Sequence, residues 1–279
     1  ILDRLGYAGA NSRLDNHTVG KDGGMDAKKR YVSYGGGVNS TAMIIYMVEE
    51  GIAFDEVVFA DTGAEWPETY QYLDFFTHEY LSRHSLSITR ITSKEMGVRR
   101  ESLLEHYRRL SVIPCRVRRH CTQDWKIKPM FRYYEKPCVQ FLGIDAGEAH
   151  RAKPSRQPDV ENDFPLIDAG INRQECKRII KNAGLCLPRK SGCYFCPFSR
   201  ISQLRELHQL HPELFEIIVN LEKAHEEKFN KGKEVKFYIK DKPMWELRNR
   251  FVLERHAEEM QLELFDDPQD SMNCLCKFG

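Results

Sequence analysis

Arg30-Tyr-Val-Ser-Tyr34, then Gly35-Gly-Gly37, then a run from Ser40-Thr-Ala-Met-Ile-Ile-Tyr-Met to Glu50, reads as a strand, a turn and a helix in immediate succession. The apolar residues alternate before the glycines and take up helical spacing after them. Gly51 supplies the left-handed residue that ends such a helix. A strand that passes through a glycine turn into a helix points its first-turn N–H groups and its positive end outward, a ready cradle for phosphate. A merely tight turn is the plainer alternative. No Gly-Lys-Ser/Thr follows, so this is not a Walker loop, and the third glycine of a dinucleotide fingerprint is missing.

Working outward, Phe54 to Ala60 is a second apolar strand ending at Asp61, and Pro67 to Ser82 a second helix with proline where a missing N–H costs nothing. Leu86–Ile91 and Val139–Leu142 give a third and a fourth strand. Strands alternating with helices predict an α/β fold, a Rossmann-like parallel sheet whose ligands bind beyond the strands' carboxyl ends. Gly35 to Ser40 and Asp61 to Glu65 both lie at such ends. After about residue 150 the pattern turns mostly helical: Asn172 caps a helix with Glu175 three residues on, Gly184 closes it, and helices follow over 200–208, 212–228 and 244–261. The expected organisation is a flexible arm over 1–28, a nucleotide-binding domain over 29–150, a cysteine-bearing helical region over 151–265 and a tail over 266–279.

At 279 residues, 41% hydrophobic and 30% charged, the composition is that of an ordinary globular chain. No stretch is apolar for long enough to span a bilayer, and the polar, glycine-dotted first residues do not resemble a signal peptide, so a cytoplasmic protein with no membrane partner is expected. Nine cysteines in that setting predict metal ligands or catalytic thiols rather than a disulfide framework. The sharpest thiol motif is Ser191-Gly-Cys193-Tyr-Phe-Cys196-Pro-Phe198. Two thiols three residues apart can bite one metal, and a complete site needs two more, for which Cys115, Cys121 and Cys176 are the candidates. A structural zinc and an iron-sulfur cluster would use the same sulfurs. Net charge is only +1, yet Arg99 to Arg132 holds ten Lys or Arg against three acids, net +7. That segment predicts an anion partner, with Arg116, Arg118, Arg119, Lys126 and Lys128 as the clamp, unless it is simply a solvated face.

Several motifs together resemble a known family. Gly35-Gly-Gly-Val-Asn-Ser-Thr41 is similar to the PP-loop, usually Ser-Gly-Gly-x-Asp-Ser, of the adenine nucleotide alpha hydrolases. Phe59-Ala-Asp-Thr-Gly-Ala-Glu-Trp-Pro-Glu-Thr-Tyr70 resembles the second signature of their phosphoadenosine phosphosulfate (PAPS) reductase branch. Arg119-His-Cys-Thr-Gln-Asp-Trp-Lys126, Gly143-Ile-Asp-Ala-Gly-Glu-Ala-His-Arg151 and Lys190-Ser-Gly-Cys-Tyr-Phe-Cys-Pro-Phe198 follow in the family's order, and the likeness covers roughly residues 30 to 220. Gly35 stands where the family usually has Ser and Asn39 where it often has Asp, which takes away a possible magnesium contact.

The resemblance implies an enzyme that binds ATP, adenylyl sulfate (APS) or PAPS at Gly35, Gly36, Gly37, Asn39, Ser40, Asp61, Thr62, Gly63 and Glu65. Magnesium is a further expected companion, and Asp61 and Lys126 are the expected catalytic groups. It also implies a [4Fe-4S] cluster, zinc being the alternative, on Cys121, Cys193 and Cys196. Thr122 replaces the family's paired second thiol, so Cys176 is expected as fourth ligand, its helix start favouring the thiolate. Sulfur transfer, or other nucleotide-activated chemistry on an acceptor, is the expected activity, and a nucleic acid or a thiol-donor protein the possible further partner. The family's reductases use a thiol in a C-terminal Glu-Cys-Gly-Leu/Ile-His tail. Here the chain reads Asn273-Cys-Leu-Cys276-Lys-Phe-Gly279, so Cys274 and Cys276 are candidate nucleophiles without those neighbours. True APS or PAPS reduction is therefore the second expectation. A nucleic-acid- or partner-binding protein with a purely structural cluster is the reading from another class.

Overall fold

The computed structural model describes residues 28–114, 116, 119–230 and 242–265. Five parallel strands form one sheet in the order β3-β2-β1-β4-β5: β1 (Lys29–Tyr34), β2 (Glu56–Asp61), β3 (Ile88–Thr92), β4 (Cys138–Leu142) and β5 (Val160–Asp163). The chain thus has the Rossmann-like α/β fold that the alternation predicts, with a helical part after it. The strand order runs out from β1 in both directions, so the crevice at the carboxyl ends of β1 and β4 is the topological switch point, where such sheets take ligands.

One face of the sheet is covered by α1 (Val38–Glu49) and α2 (Pro67–Glu79), which pack on Val32, Tyr34, Val57, Phe59 and Phe141. Gly51 ends α1 at φ +67, as the sequence predicts. The other face carries Tyr31, Val58, Ala60, Cys138 and Val160, covered in part by Met130 of α5 (Lys128–Tyr133) and by Tyr134. Between the two come α3 (Leu103–Leu110) and α4 (His120–Thr122), which runs through a π-helical turn over Gln123–Ile127 into α5.

The chain then adds β5, the short α6 (Pro165–Asp168) and α7 (Arg173–Asn182). Cys176 and Ile180 of α7 belong to the same core as α1. The sheet layer therefore runs on well past residue 150, where the sequence pattern changes. Asn172 caps α7 as expected: its Oδ1 accepts from the N–H of Gln174 and Glu175, and Glu175 reaches back to the N–H of Asn172 at 2.8 Å. The last described helices, α8 (Ile201–Leu210), α9 (Pro212–His225) and α10 (Met244–Phe265), build a second core around Leu204, Leu207, Phe215, Ile218 and Phe251. Trp66, Tyr107, Trp125 and Phe195 join that core and weld it to the carboxyl edge of the sheet. No described helix is long and apolar enough to cross a membrane. Cys115, Arg118, Cys274 and Cys276 lie outside the described residues, as do nearly all of the expected arm and the tail.

Candidate functional site

Gly36 takes φ +65, a conformation glycine adopts without cost. A β-carbon there would stand 3.1 Å from Thr69 Cγ2 and one on Gly37 would stand 3.0 Å from Ser191 Oγ. The backbone itself, rather than only a ligand, thus calls for glycine at position 36. The hydroxyl of Ser40 accepts from the N–H of Gly35 at 3.3 Å and of Gly37 at 3.4 Å and donates to Gly37 O, which holds the loop tight. Gly143 closes the site from β4, since a β-carbon there would lie 2.7 Å from Ser40 Cα. The first-turn N–H groups of α1 remain the donors a phosphate would meet.

Asn39 has a different job from the one the motif suggests. Its Nδ2 donates to Asp145 Oδ2 at 2.7 Å and its Oδ1 accepts from Arg173 at 2.6 Å, so both ends of the amide are committed within the protein. An aspartate could accept from Arg173 but would set a carboxylate against Asp145. The departure from the family's usual Asp is explained by this bridge from α1 to the β4 exit and α7.

At the end of β2, Asp61 Oδ1 accepts from the Gly63 N–H and from the Tyr70 hydroxyl, both at 2.7 Å. Glu65 is fully buried and its Oε1 takes the Lys126 ammonium at 2.7 Å, while Oε2 has no hydrogen-bond partner among the described residues. Burial pulls the Lys126 pKa down, but the Glu65 carboxylate more than offsets it, leaving the ammonium more basic than an ordinary lysine. Thr62 Oγ1 lies 3.5 Å from Cys193 Sγ and donates to Glu65 at 3.3 Å.

The cysteine turn is pinned to this same edge. Glu65 and Cys193 form an antiparallel bridge, and the Tyr194 N–H donates to Ala64 O at 3.0 Å. Cys193, Cys196 and Cys121 gather here: all three act electrostatically on the Tyr107 hydroxyl, and Cys121 and Cys193 on Lys126. Burial raises the Cys193 thiol, Glu65 raises it further and Lys126 opposes; burial also raises Cys196. Cys176 is not among them. It is wholly buried in the core between α7 and α1, where burial pushes its thiol up to about 12 and overrides the helix start. The expected fourth ligand is thereby corrected to a core residue. Cys186 is exposed and Cys138 buried. Three thiols from two distant segments suit a soft metal as a donor set, though among the described residues no three His, Cys, Asp or Glu side chains are already drawn together as a metal site.

A cavity of about 780 Å³ lies beside these groups, at the carboxyl ends of the strands. Its lining cations among the described residues are Arg119, Lys126, Arg151, Lys153 and Arg156, and none of the described Asp or Glu residues lines it. Of the expected clamp, Arg119 and Lys126 are here. Arg116 donates to Pro197 O at 2.7 Å and lies over the Phe198 ring, and Lys128 pairs with Asp124 at 2.7 Å. Asp124 also holds Arg99, and Glu101 holds Arg109, so much of the basic segment is neutralised internally. The cations Lys153 and Arg156 escape motif reasoning. Their signal is the run Arg151-Ala-Lys-Pro-Ser-Arg156, at the end of the short helical turn that follows the fourth strand.

Residues 29–165 match the family model described as the phosphoadenosine phosphosulfate reductase domain. The match falls on the stretch that carries the glycine loop and the Asp61–Tyr70 signature, in keeping with the resemblance the motifs suggested. The chain is 23% identical over 220 residues to an uncharacterized protein of Methanocaldococcus jannaschii, a match covering 72% of this chain and 43% of that protein, so the chain spans less than half of that relative's length. Among solved structures it is similar to the U34-tRNA thiolase NcsA from Methanococcus maripaludis, determined with its [4Fe-4S] cluster. The match has 17% identity and a TM-score of 0.44, over 93% of this chain and 82% of that one.

Proposed function

We propose that the chain is a PP-loop enzyme that binds an adenine nucleotide between the Gly35–Ser40 loop and the basic cavity, and uses it in sulfur transfer or related nucleotide-activated chemistry at the adjoining thiols. The observation that carries this is the double membership of Lys126, which lines the cavity and also holds Glu65 beside Cys193. Nucleotide and thiols would then share one charged hub. The loop and first-turn N–H groups bind phosphate oxygens. Arg119 and Lys126 neutralise charge on the departing phosphate or sulfate, the role that cations fill in such transfers. Asp61, with one oxygen fixed by Tyr70 and Gly63, is the carboxylate at hand for a magnesium ion accompanying the nucleotide.

Cys121, Cys193 and Cys196 would hold a metal centre, and the described residues supply no fourth thiolate. A [4Fe-4S] centre supplies electron transfer or a Lewis-acidic iron, and zinc Lewis acidity alone. The protein's own contribution is to half-bury these thiols, bond Cys193 to Thr62 and keep Lys126 charged beside them.

Anaerobic purification with iron and sulfide analysis, followed by calorimetry with ATP, APS and PAPS, tests the reading. Binding of at least one nucleotide, weakened by Lys126→Met, is expected. A folded protein that binds none of the three would sink it. Sulfite release from APS or PAPS at an ordinary enzyme rate would favour the true reductase instead.

A further inference from the structure

Phe198 stands two residues past Cys196, in a turn that the Ser199 N–H closes by donating to Cys196 O at 3.0 Å. A single exposed phenylalanine is ordinary on a protein surface. What surrounds this one is not. The Arg116 guanidinium carbon lies 5.8 Å from the ring centroid and that of Arg119 5.4 Å, so two cations lean on one ring. With both in place the residue is still 46% exposed.

Both arginines come from the stretch just before α4 and Cys121. Neither forms an ion pair with a described carboxylate, unlike Arg99 and Arg109 of the same basic segment. Arg116 commits only its Nε, to Pro197 O at 2.7 Å, which fixes the arm and leaves its two terminal nitrogens without a partner among the described residues. Arg119 also lines the cavity, and so ties the ring to it. Lys190, a third cation with no described carboxylate, acts on the Cys196 thiol from nearby. An accessible ring and unpaired cations thus sit together beside the thiols.

An open aromatic ring takes the flat face of a base, and free guanidinium groups take phosphate oxygens. A single strand of nucleic acid offers both at once, since its bases are free to stack while its backbone follows the cations. An acidic peptide would satisfy the arginines and leave the ring bare. A duplex offers phosphates but keeps its base faces stacked inside. RNA displays unpaired bases in its loops, bulges and ends.

We propose that this surface docks single-stranded RNA: a splayed base stacks on Phe198, and Arg116 and Arg119 hold the phosphates beside it. The neighbouring nucleotide is thereby brought to the edge where Cys193 and Cys196 lie. This rests on the proposed transfer chemistry at the thiols and supplies the class of acceptor which that reading leaves open.

The test is fluorescence anisotropy of the metal-loaded full chain with a short, unstructured single-stranded RNA, a duplex RNA of the same sequence and the matching single-stranded DNA. The single-stranded RNA should bind most tightly. Phe198→Ala should weaken it about fivefold or more, the loss expected when a stacked base is deprived of its ring, and Phe198→Trp should keep it. Metal analysis of each preparation shows that the thiol turn is intact. Arg116→Gln should lower the slope of log affinity against log salt by about 0.7, the share of one phosphate contact on a single strand. Duplex RNA or single-stranded DNA binding more tightly, an affinity unchanged in Phe198→Ala, or poly-glutamate competing as well as the RNA overturns the assignment. Should ATP, APS and PAPS all fail to bind while RNA binds through Phe198, the nucleotide reading falls and the docking surface stands. Nucleotide binding with no RNA binding is the reverse.

Discussion

Replacing Lys126 by Met strands a carboxylate in the protein interior, and the size of the effect follows from two exposures. The Glu65 side chain is 0% exposed and that of Lys126 33%. Breaking a buried pair by removing one partner costs about 3–5 kcal/mol when both charges are enclosed. Water reaches a third of the lysine arm, which discounts the pair, so about 2–3 kcal/mol is expected for Lys126→Met. Glu65→Gln removes the buried charge and leaves an ammonium that can turn toward the cavity, so its cost should be about 1 kcal/mol. In the double variant neither charge remains, and its loss should fall about 1.5 kcal/mol or more short of the sum of the singles, the sign of direct coupling. Urea unfolding followed by circular dichroism at neutral pH measures all four corners of the cycle. Iron and zinc are assayed on each preparation so that lost metal is not mistaken for lost pairing. A Lys126→Met loss under about 0.5 kcal/mol, or strict additivity in the double variant, would refute the claim that the pair is a buried, mutually dependent unit.

Asn39→Asp should destabilise the fold by about 1–3 kcal/mol in urea unfolding by setting two carboxylates together, and adding Asp145→Asn should restore much of it; no rescue would mean that the bridge is not what selects asparagine. Gly36→Ala should cost about 1–2 kcal/mol from its left-handed backbone and weaken nucleotide binding, and an unchanged denaturation midpoint would count against the loop geometry. Cys193→Ser and Cys196→Ser should each lose the metal, whereas Cys176→Ser should keep it and lose stability from a hydroxyl placed in the core; metal analysis that reverses this pattern would restore Cys176 as a ligand. Arg109, then His106, holds the Glu101 carboxyl at about 2, so its stabilisation is full above the unfolded value near 4.5 and is lost as pH falls through about 2. Arg109→Gln should flatten that part of the acid unfolding curve, and an unaltered curve would dismiss the pair.

The sheet was legible because β1, β2 and β4 are short apolar runs that end in glycine or acid, the local pattern of parallel strands next to ligands. β5 was not legible: Val160-Glu-Asn-Asp163 is an edge strand of four residues, three of them polar, and only its pairing with β4 makes it a strand. The helical run around Gln123–Ile127 was hidden for a related reason, because a π-turn breaks the spacing that reveals a helix. Among the site residues, Cys121 and Cys193 pack against the same core, and both act with Cys196 on the Tyr107 hydroxyl. Cys176 misled because a thiol in a first helical turn looks the same in sequence whether the helix faces a cleft or the core, and here α1 covers it. Lys128 and Arg116 misled likewise, since charge counts say nothing about which cations are already taken by Asp124 or a carbonyl group.

The backbone stitch between Glu65 and Cys193 makes the second half of the chain part of the first half's ligand edge. A ligand that shifted the thiols would pull on Glu65, and through it on Lys126 and the cavity wall. Two ligands that meet through one rigid stitch are thermodynamically reciprocal: if metal at the cysteines tightens nucleotide binding by some factor, nucleotide tightens metal binding by the same factor. A cell short of metal would then hold a protein with an altered appetite for nucleotide, without a separate regulatory domain to sense the shortage.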